Sequence, residues 1–254
     1  MAFMECRFSS AILGRAVSAN VVMPLTAAPG GNKVLYLLHG LSDDASTWFR
    51  RSSIERYAER MNFTVIMPDG GRSFYTDALH GAKYWTFISE ELPEIMNSIF
   101  RISPDRERTF AAGLSMGGYG ALKLGLRCPE KFAAVGALSA VADLRSRFRA
   151  PDSASWLPEL KLIFGDESRL ASDGNDLFDL ASKALSSGKP LPKIIAICGS
   201  EDFMIEDNRR FNRFMAERYP GFHSFERPGS HEWQFWDTHI RDVMAFFDSG
   251  KLPE

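Results

Sequence analysis

Cysteine is scarce in this chain: Cys6, Cys128 and Cys198 stand far apart, with no C-x-x-C pair. An odd, scattered set supports neither a disulfide framework nor a zinc site, and it fits a reducing compartment, so the expected location is cytoplasmic. An excess of one charge is missing too. Lys and Arg number 30 against 32 Asp and Glu, a formal net charge of -2, which excludes broad attraction to nucleic acid or to an anionic bilayer. No apolar run is long enough for a membrane-spanning helix. The opening "MAFMECRFSSAILGRAVSANVVMP" has neither the basic stretch nor the sustained apolar segment of an export signal. Internal repeats and low-complexity tracts are absent. The expected partner is a small molecule, with no nucleic acid and no membrane.

What is present is a globular composition: 254 residues, 45% hydrophobic and 24% charged, enough for one domain over residues 1–254 with a sizeable core. Residues 4–10 and 15–23 read as an antiparallel edge hairpin turning near Gly14, and Pro29-Gly30-Gly31-Asn32 as a turn. The run "KVLYLLHG" is nearly all apolar, as in a strand buried on both faces of a parallel sheet. Helical and strand patterns then alternate. "SSIERYAERMN", "TFISEELPEIMNSIF" and "MGGYGALKLGLRC" read as helices between the strands "FTVIMPDG", "RTFAAG" and "FAAVGALSA". Further on, "PKIIAICG" and "HSFERPG" read as strands, "IEDNRRFNRFMAERY" and "HEWQFWDTHIRDVMAFF" as helices. This rhythm predicts an α/β fold with a mostly parallel central sheet and helices on both faces. Residues 141–190 break it. They are polar, rich in Asp and Ser and only locally helical, and are expected to be an insertion over the active-site edge of the sheet.

Functional groups in open α/β sheets gather where strands end at their carboxyl side. Those positions here hold His39-Gly40-Leu41, then Ser115 within Gly113-Leu114-Ser115-Met116-Gly117, then Glu201-Asp202, then His231. G-x-S-x-G between a strand and a helix is the spacing of a nucleophile elbow, where small neighbours let the backbone turn sharply under the serine. Serine, then acid, then histidine is the chain order of α/β-hydrolases. A serine hydroxyl needs a base to remove its proton, His231 can serve, and a carboxylate must hold the ring. Asp202 is the expected acid, with Glu201 its competitor and helix capping the plainer role. The charge that develops on oxygen needs fixed donors, for which the Leu41 and Met116 N–H groups are the candidates.

Other candidates are less specific. His39 either reacts or holds the oxyanion loop by hydrogen bonds. His80, His223 and His239 read as surface or packing residues; His231 and His239 share a helix face without a third ligand for zinc. Asp43-Asp44 is either a metal pair or a solvated loop before a helix. Trp48, Tyr84, Trp85, Trp156 and Phe203, with His39 and Gly40, are either pocket walls or core. No metal or cofactor is called for.

Six blocks, "LYLLHGLSDDASTW", "MPDGGRSFYTD", "FISEELPEI", "GLSMGGYGALKL", "CGSEDF" and "GSHEWQFW", cover most of the chain. In their order the sequence resembles the esterase D group of α/β-hydrolases, which includes S-formylglutathione hydrolases and, closer in pattern, bacterial tributyrin esterases. The resemblance implies an α/β-hydrolase fold, Ser115 as nucleophile, Asp202 as acid, His231 as base and Leu41 and Met116 as oxyanion donors. It also implies a homo-oligomer, since members often form one. Formylglutathione enzymes usually carry cysteine two residues after the oxyanion-loop leucine, whereas this chain has Asp43. That departure weakens the glutathione reading and favours a carboxylesterase for short acyl esters, which could include acylated sugars or phenolic esters; the S-formylglutathione thioesterase and a feruloyl or acetyl sugar esterase are the alternatives. Mycolyl-transferring relatives are secreted, unlike the expectation here. A different class, a non-catalytic binding protein on the same fold, has no physical need for all three of serine, aspartate and histidine at strand ends.

Overall fold

Alternating half-buried and exposed side chains make β1 (Ala2–Ser10) an edge strand, and it pairs antiparallel with β2 (Arg15–Met23) from Ala2↔Met23 to Ser10↔Arg15. The computed structural model that shows this describes residues 1–26, 31–102, 105–150 and 155–253. The expected turn at Pro29-Gly30 and residues 151–154 of the expected insertion lie outside them. Strand β2 also runs antiparallel to β4 (Phe63–Pro68), and everything beyond is parallel: β3 (Lys33–Leu38), β5 (Thr109–Leu114), β6 (Ala134–Leu138), β7 (Lys193–Gly199) and β8 (Phe222–Arg227). The order across the sheet is β1-β2-β4-β3-β5-β6-β7-β8. Strands β4, β5 and β6 are buried at every position, as strands covered on both faces must be.

Alternate side chains of the central strands feed two apolar layers. Val34, Tyr36 and Leu38 of β3 face the layer formed with α4 (Leu92–Phe100), α5 (Met116–Arg127) and α10 (Ile205–Ala216). Leu35 and Leu37 face α2 (Ile54–Met61) and α11 (Trp233–Ser249). Each fully buried side chain of this kind stabilises by about 1.5–3 kcal/mol relative to exposure. Two short helices precede these: α1 (Thr47–Arg51) before α2, and α3 (Tyr84–Thr86) leading into α4 through a wider turn at Phe87–Glu91. Pro93 accounts for that turn. It has no N–H to give the carbonyl four residues back, at Ser89, and Lys131 Nζ takes that carbonyl instead at 2.7 Å.

Residues 141–190 are more helical than their polarity predicts. They form α6 (Leu144–Arg149), α7 (Leu157–Phe164), α8 (Arg169–Ser172) and α9 (Leu177–Ser186). Leu160, Phe164, Leu170 and Ala181 are buried in the same apolar layer as α5. The reason is that each short helix hides only one narrow face, leaving most of the described Asp and Ser residues at least partly exposed, Asp176 excepted.

Candidate active site

The turn from β5 into α5 is built on close backbone approach. Ser115 takes φ 52°, ψ −116°, a conformation that costs a non-glycine residue about 1–3 kcal/mol and persists only where the surroundings impose it. Here the Ser115 N–H donates to the Leu138 carbonyl at 2.8 Å, and its own carbonyl accepts from Val141 and Tyr119 N–H at 3.1 Å each. A Cβ on Gly117 would lie 2.3 Å from the Leu38 oxygen, and one on Gly113 would lie 2.4 Å from the Gly117 carbonyl carbon. The glycines of the motif are therefore there so that β3, β5 and α5 can touch. The Ser115 hydroxyl makes no capping bond to the helix.

Asp202 and His231 come from two loops zipped together by backbone: Ser200 N–H donates to Arg227 O at 2.7 Å and Glu201 N–H to Gly229 O at 3.0 Å. Asp202 is 2% exposed. One of its oxygens accepts the Met204 N–H at 2.9 Å, the other lies 2.8 Å from His231 Nδ1. Asp202 thus braces the turn before α10, whose own N-cap Met204 makes no side-chain cap bond, and meets the histidine, while Glu201 is exposed. Burial pushes the Asp202 carboxyl up, but the hydrogen bond and charge of His231, with the Met204 N–H, outweigh it and hold the pKa below the ordinary 3.8. An ionised Asp202 fixes the proton on Nδ1 and leaves the His231 Nε2 lone pair available. The ring is held between Phe203 and Trp236, each with its ring centroid 4.8 Å away.

The loop after β3 closes over Ser115. A Cβ on Gly40 would be 3.8 Å from that of Ser115. Asp43 Oδ2 accepts the Gly40 N–H at 3.1 Å, and Asp44 accepts the Ser46 N–H and hydroxyl at 2.8 and 2.6 Å. Both carboxylates are thus spent inside the loop. Among the described residues no cluster of three or more His, Cys, Asp or Glu could hold a metal ion. His39 is buried beneath: Nε2 accepts the Gly70 N–H at 2.8 Å and Nδ1 is 2.7 Å from the Gly40 carbonyl. Arg72 ties the loop to α7, donating to the Leu41 carbonyl at 3.2 Å and to both oxygens of Glu159 at 2.7 and 2.6 Å.

Ser115 and His231 open onto one cleft of about 540 Å³, which Gly40, Leu41, Met116, Trp156 and Phe203 also line. Four expected wall residues stand elsewhere. Trp48 is fully buried with Nε1–H donating to Leu38 O at 3.0 Å, so it is core that fixes the end of β3. Trp85 lines a different cavity, and His39 holds the loop from below. Tyr84 packs under Gly71 and bonds Arg15. His80 is exposed, His223 packs on Phe246, and His239 pairs with Asp242. Phe74, Val141, Trp233 and Trp236 also line the cleft and were not singled out from sequence. Phe74, Val141 and Trp233 follow strand ends, so the rule that found Ser115 would have reached them. Phe74 stacks on Trp156 at 6.3 Å and 11°, and its N–H lies 3.3 Å from Met116 Sδ. Asn208, buried in α10, donates to the Ala140 and Met204 carbonyls at 2.9 and 3.0 Å, clamping the Asp202 turn to the end of β6.

Comparison with known proteins agrees with this architecture. The sequence profile of the family described as "Putative esterase" matches residues 10–247. An acetyl esterase of Caldicellulosiruptor saccharolyticus is 30% identical over 262 aligned residues, covering 97% of this chain and 98% of that protein. Among solved structures, the Staphylococcus aureus fluorophosphonate-binding serine hydrolase FphF superposes with a TM-score of 0.88 at 31% identity, covering 98% of each chain. The S. aureus S-formylglutathione hydrolase FrmB gives 0.84 at 30%, covering 98% of this chain and 99% of that one. These neighbours have the α/β-hydrolase fold, and so does this chain.

Proposed function

The chain belongs to this esterase family and is a carboxylester hydrolase of the serine type, and on that premise we propose that it cleaves short acyl esters through an acyl-enzyme on Ser115. The observation that carries the reading is the His231 Nδ1–Asp202 contact of 2.8 Å beside a cleft that His231 shares with Ser115. In the first half-reaction Ser115 Oγ attacks the acyl carbonyl while its proton passes to His231 Nε2. The oxyanion is held by the Leu41 and Met116 N–H groups, reinforced by the positive end of α5. Collapse breaks the bond to the alcohol, which leaves with the proton from Nε2. Water then repeats the sequence on the acyl-serine, releasing the acid. Asp202 keeps Nδ1 as donor and stabilises the imidazolium throughout.

Chain length follows from the walls. Phe74, Trp156, Met116 and Val141 are apolar neighbours at the cleft, and α7, which carries on from Trp156, is pinned through Glu159 and Arg72. A methylene that finds wall adds about 0.8 kcal/mol, roughly fourfold in kcat/KM, and one that meets a fixed end adds nothing. With p-nitrophenyl esters, kcat/KM is expected to rise from acetyl to butyryl and to fall for octanoyl and longer. S-formylglutathione, the substrate named for FrmB, is run alongside. A larger kcat/KM for the thioester would replace the short-ester reading, and a preference for long chains would refute the closed pocket.

A further inference from the structure

The helix that begins after Ser115 has different chemistry two turns further on. Lys123 is 0% exposed, and its Nζ donates to Asn175 Oδ1 at 2.7 Å, Thr76 Oγ1 at 2.8 Å and the Tyr75 carbonyl at 3.4 Å. All three acceptors are neutral. One turn along, the exposed Arg127 places its guanidinium 4.2 Å from the centre of a Trp85 ring, and Lys123 Nζ lies 4.9 Å from the same side chain's ring. Arg127 donates a long hydrogen bond, 3.4 Å, to the Gly174 carbonyl. Two cations at i,i+4 thus share one indole, and among the described residues neither is ion-paired to a carboxylate.

The acids nearby are engaged with other partners. Asp77 accepts the Thr86 N–H at 2.9 Å and the Thr86 hydroxyl at 2.7 Å, and Asp173 pairs with Arg169 at 3.0 Å. All five charged side chains line one cavity of about 370 Å³, three cations against two carboxylates. Like charges one turn apart repel, and a buried ammonium without a counter-charge is costly. Contact with the faces of Trp85 and Tyr119, whose ring centre lies 5.5 Å from Nζ, offsets part of that without supplying a counter-charge. Burial pushes the Lys123 amine well below its ordinary range; the Arg127 charge adds to this and Asp77 opposes it.

We propose that this cavity is an anion site, in which the phosphate or carboxylate group of a small molecule docks against Arg127 with Lys123 as the buried charge behind it. The site is separate from the Ser115 cleft and shares no lining residue with it. The anion supplies the counter-charge that the pair lacks.

The test is calorimetric titration of the whole protein with inorganic phosphate and, separately, with acetate, at fixed ionic strength. Wild type is expected to bind at least one of the two saturably. Arg127→Gln, a surface change outside the cleft, should weaken binding at least tenfold and leave basal ester turnover unchanged. Phosphate preferred over acetate marks a phosphorylated ligand; the reverse marks a carboxylate, such as the acid the esterase releases. Lys123→Met should abolish binding if the variant retains ester turnover, and if it does not fold, Arg127→Gln decides alone. Absence of saturable binding of either anion, or equal affinity in wild type and Arg127→Gln, overturns the proposal. Because ester turnover is read on the same samples, that outcome leaves the esterase reading untouched.

Discussion

Glycine closes the β1–β2 turn and glycine flanks Ser115, for unrelated physical reasons. Gly14 has φ 64° and nothing within 4 Å of where a Cβ would be; the turn needs only a backbone conformation that other residues dislike. At Gly117 the Cβ position is already occupied by the Leu38 carbonyl at 2.3 Å. The regions around them differ in the same way. The hairpin is regular pairing with alternating exposure. The carboxyl edge of the sheet carries four non-glycine residues at positive φ, Phe74 (49°), Tyr75 (47°), Ser115 (52°) and Ser139 (45°). Three of them are fully buried. The two other non-glycine residues at positive φ among those described, Asn62 and Arg101, are left-handed caps ending α2 and α4, so the strained positions outside helix ends lie where the candidate site is, held by the sheet packed on both faces.

If the strained edge exists to aim a catalytic set, the largest effect after loss of the serine itself belongs to the residue that orients the base. Asp202→Asn should lower kcat/KM by about 10⁴-fold, because the amide no longer selects the Nδ1–H tautomer. Glu201→Gln, one position away and exposed, should change it less than twofold. Steady-state kinetics on the two variants check this, and comparable losses would dissolve the distinction between the acids.

Next in size is the pair of glycines. Gly117→Ala forces apart β3 and α5 and is expected to cost about 3 kcal/mol or more in denaturant unfolding, together with the activity. Gly14→Ala meets open space and should cost about 1 kcal/mol, the price of its φ, with turnover intact. Equal destabilisation would mean that close approach is not what Gly117 serves.

The smallest effect sharpens the electrostatics beneath the loop. His39 is neutral in the fold, since Nε2 accepts from Gly70. Burial lowers its pKa below the ordinary 6.5, against the Gly40 carbonyl and the charges of Asp69, Asp43 and Asp44, which raise it; the Tyr75 ring also packs against it. As pH falls the unfolded chain takes up the proton first. The stability this ring contributes is therefore full above about pH 6.5 and is lost below it, toward the lower folded value, by up to about 1.4 kcal/mol per pH unit. Unfolding free energies between about pH 7.5 and 5.5 should fall more for wild type than for His39→Gln. Asp44 and Asp202, both below 3.8, titrate outside that window. Parallel curves for the two proteins would show that His39 is not held neutral.

The same contrast explains what the sequence made legible. Period-two alternation and continuous apolar runs are local signals, so the hairpin and the parallel strands could be read directly. Ser115, Asp202 and His231 could be read because strand ends in this architecture converge. Aromatic placement could not. Trp48 is core because its indole N–H meets the Leu38 carbonyl, and Trp85 faces Lys123 and Arg127; both depend on partners distant along the chain or around the helix. Residues 141–190 hid their helices for a related reason, since the face each one buries is defined by α5 and its neighbours.

The central claim is that the strained serine is the reacting atom. It is tested most directly by treating the protein with a fluorophosphonate and mapping the adduct by peptide mass spectrometry. The account predicts one phosphonyl group on Ser115, formed in step with loss of esterase activity and absent from Ser115→Ala, which keeps its fold and loses turnover by several orders of magnitude. An adduct on another residue that tracks inactivation, or undiminished turnover by Ser115→Ala, would contradict it.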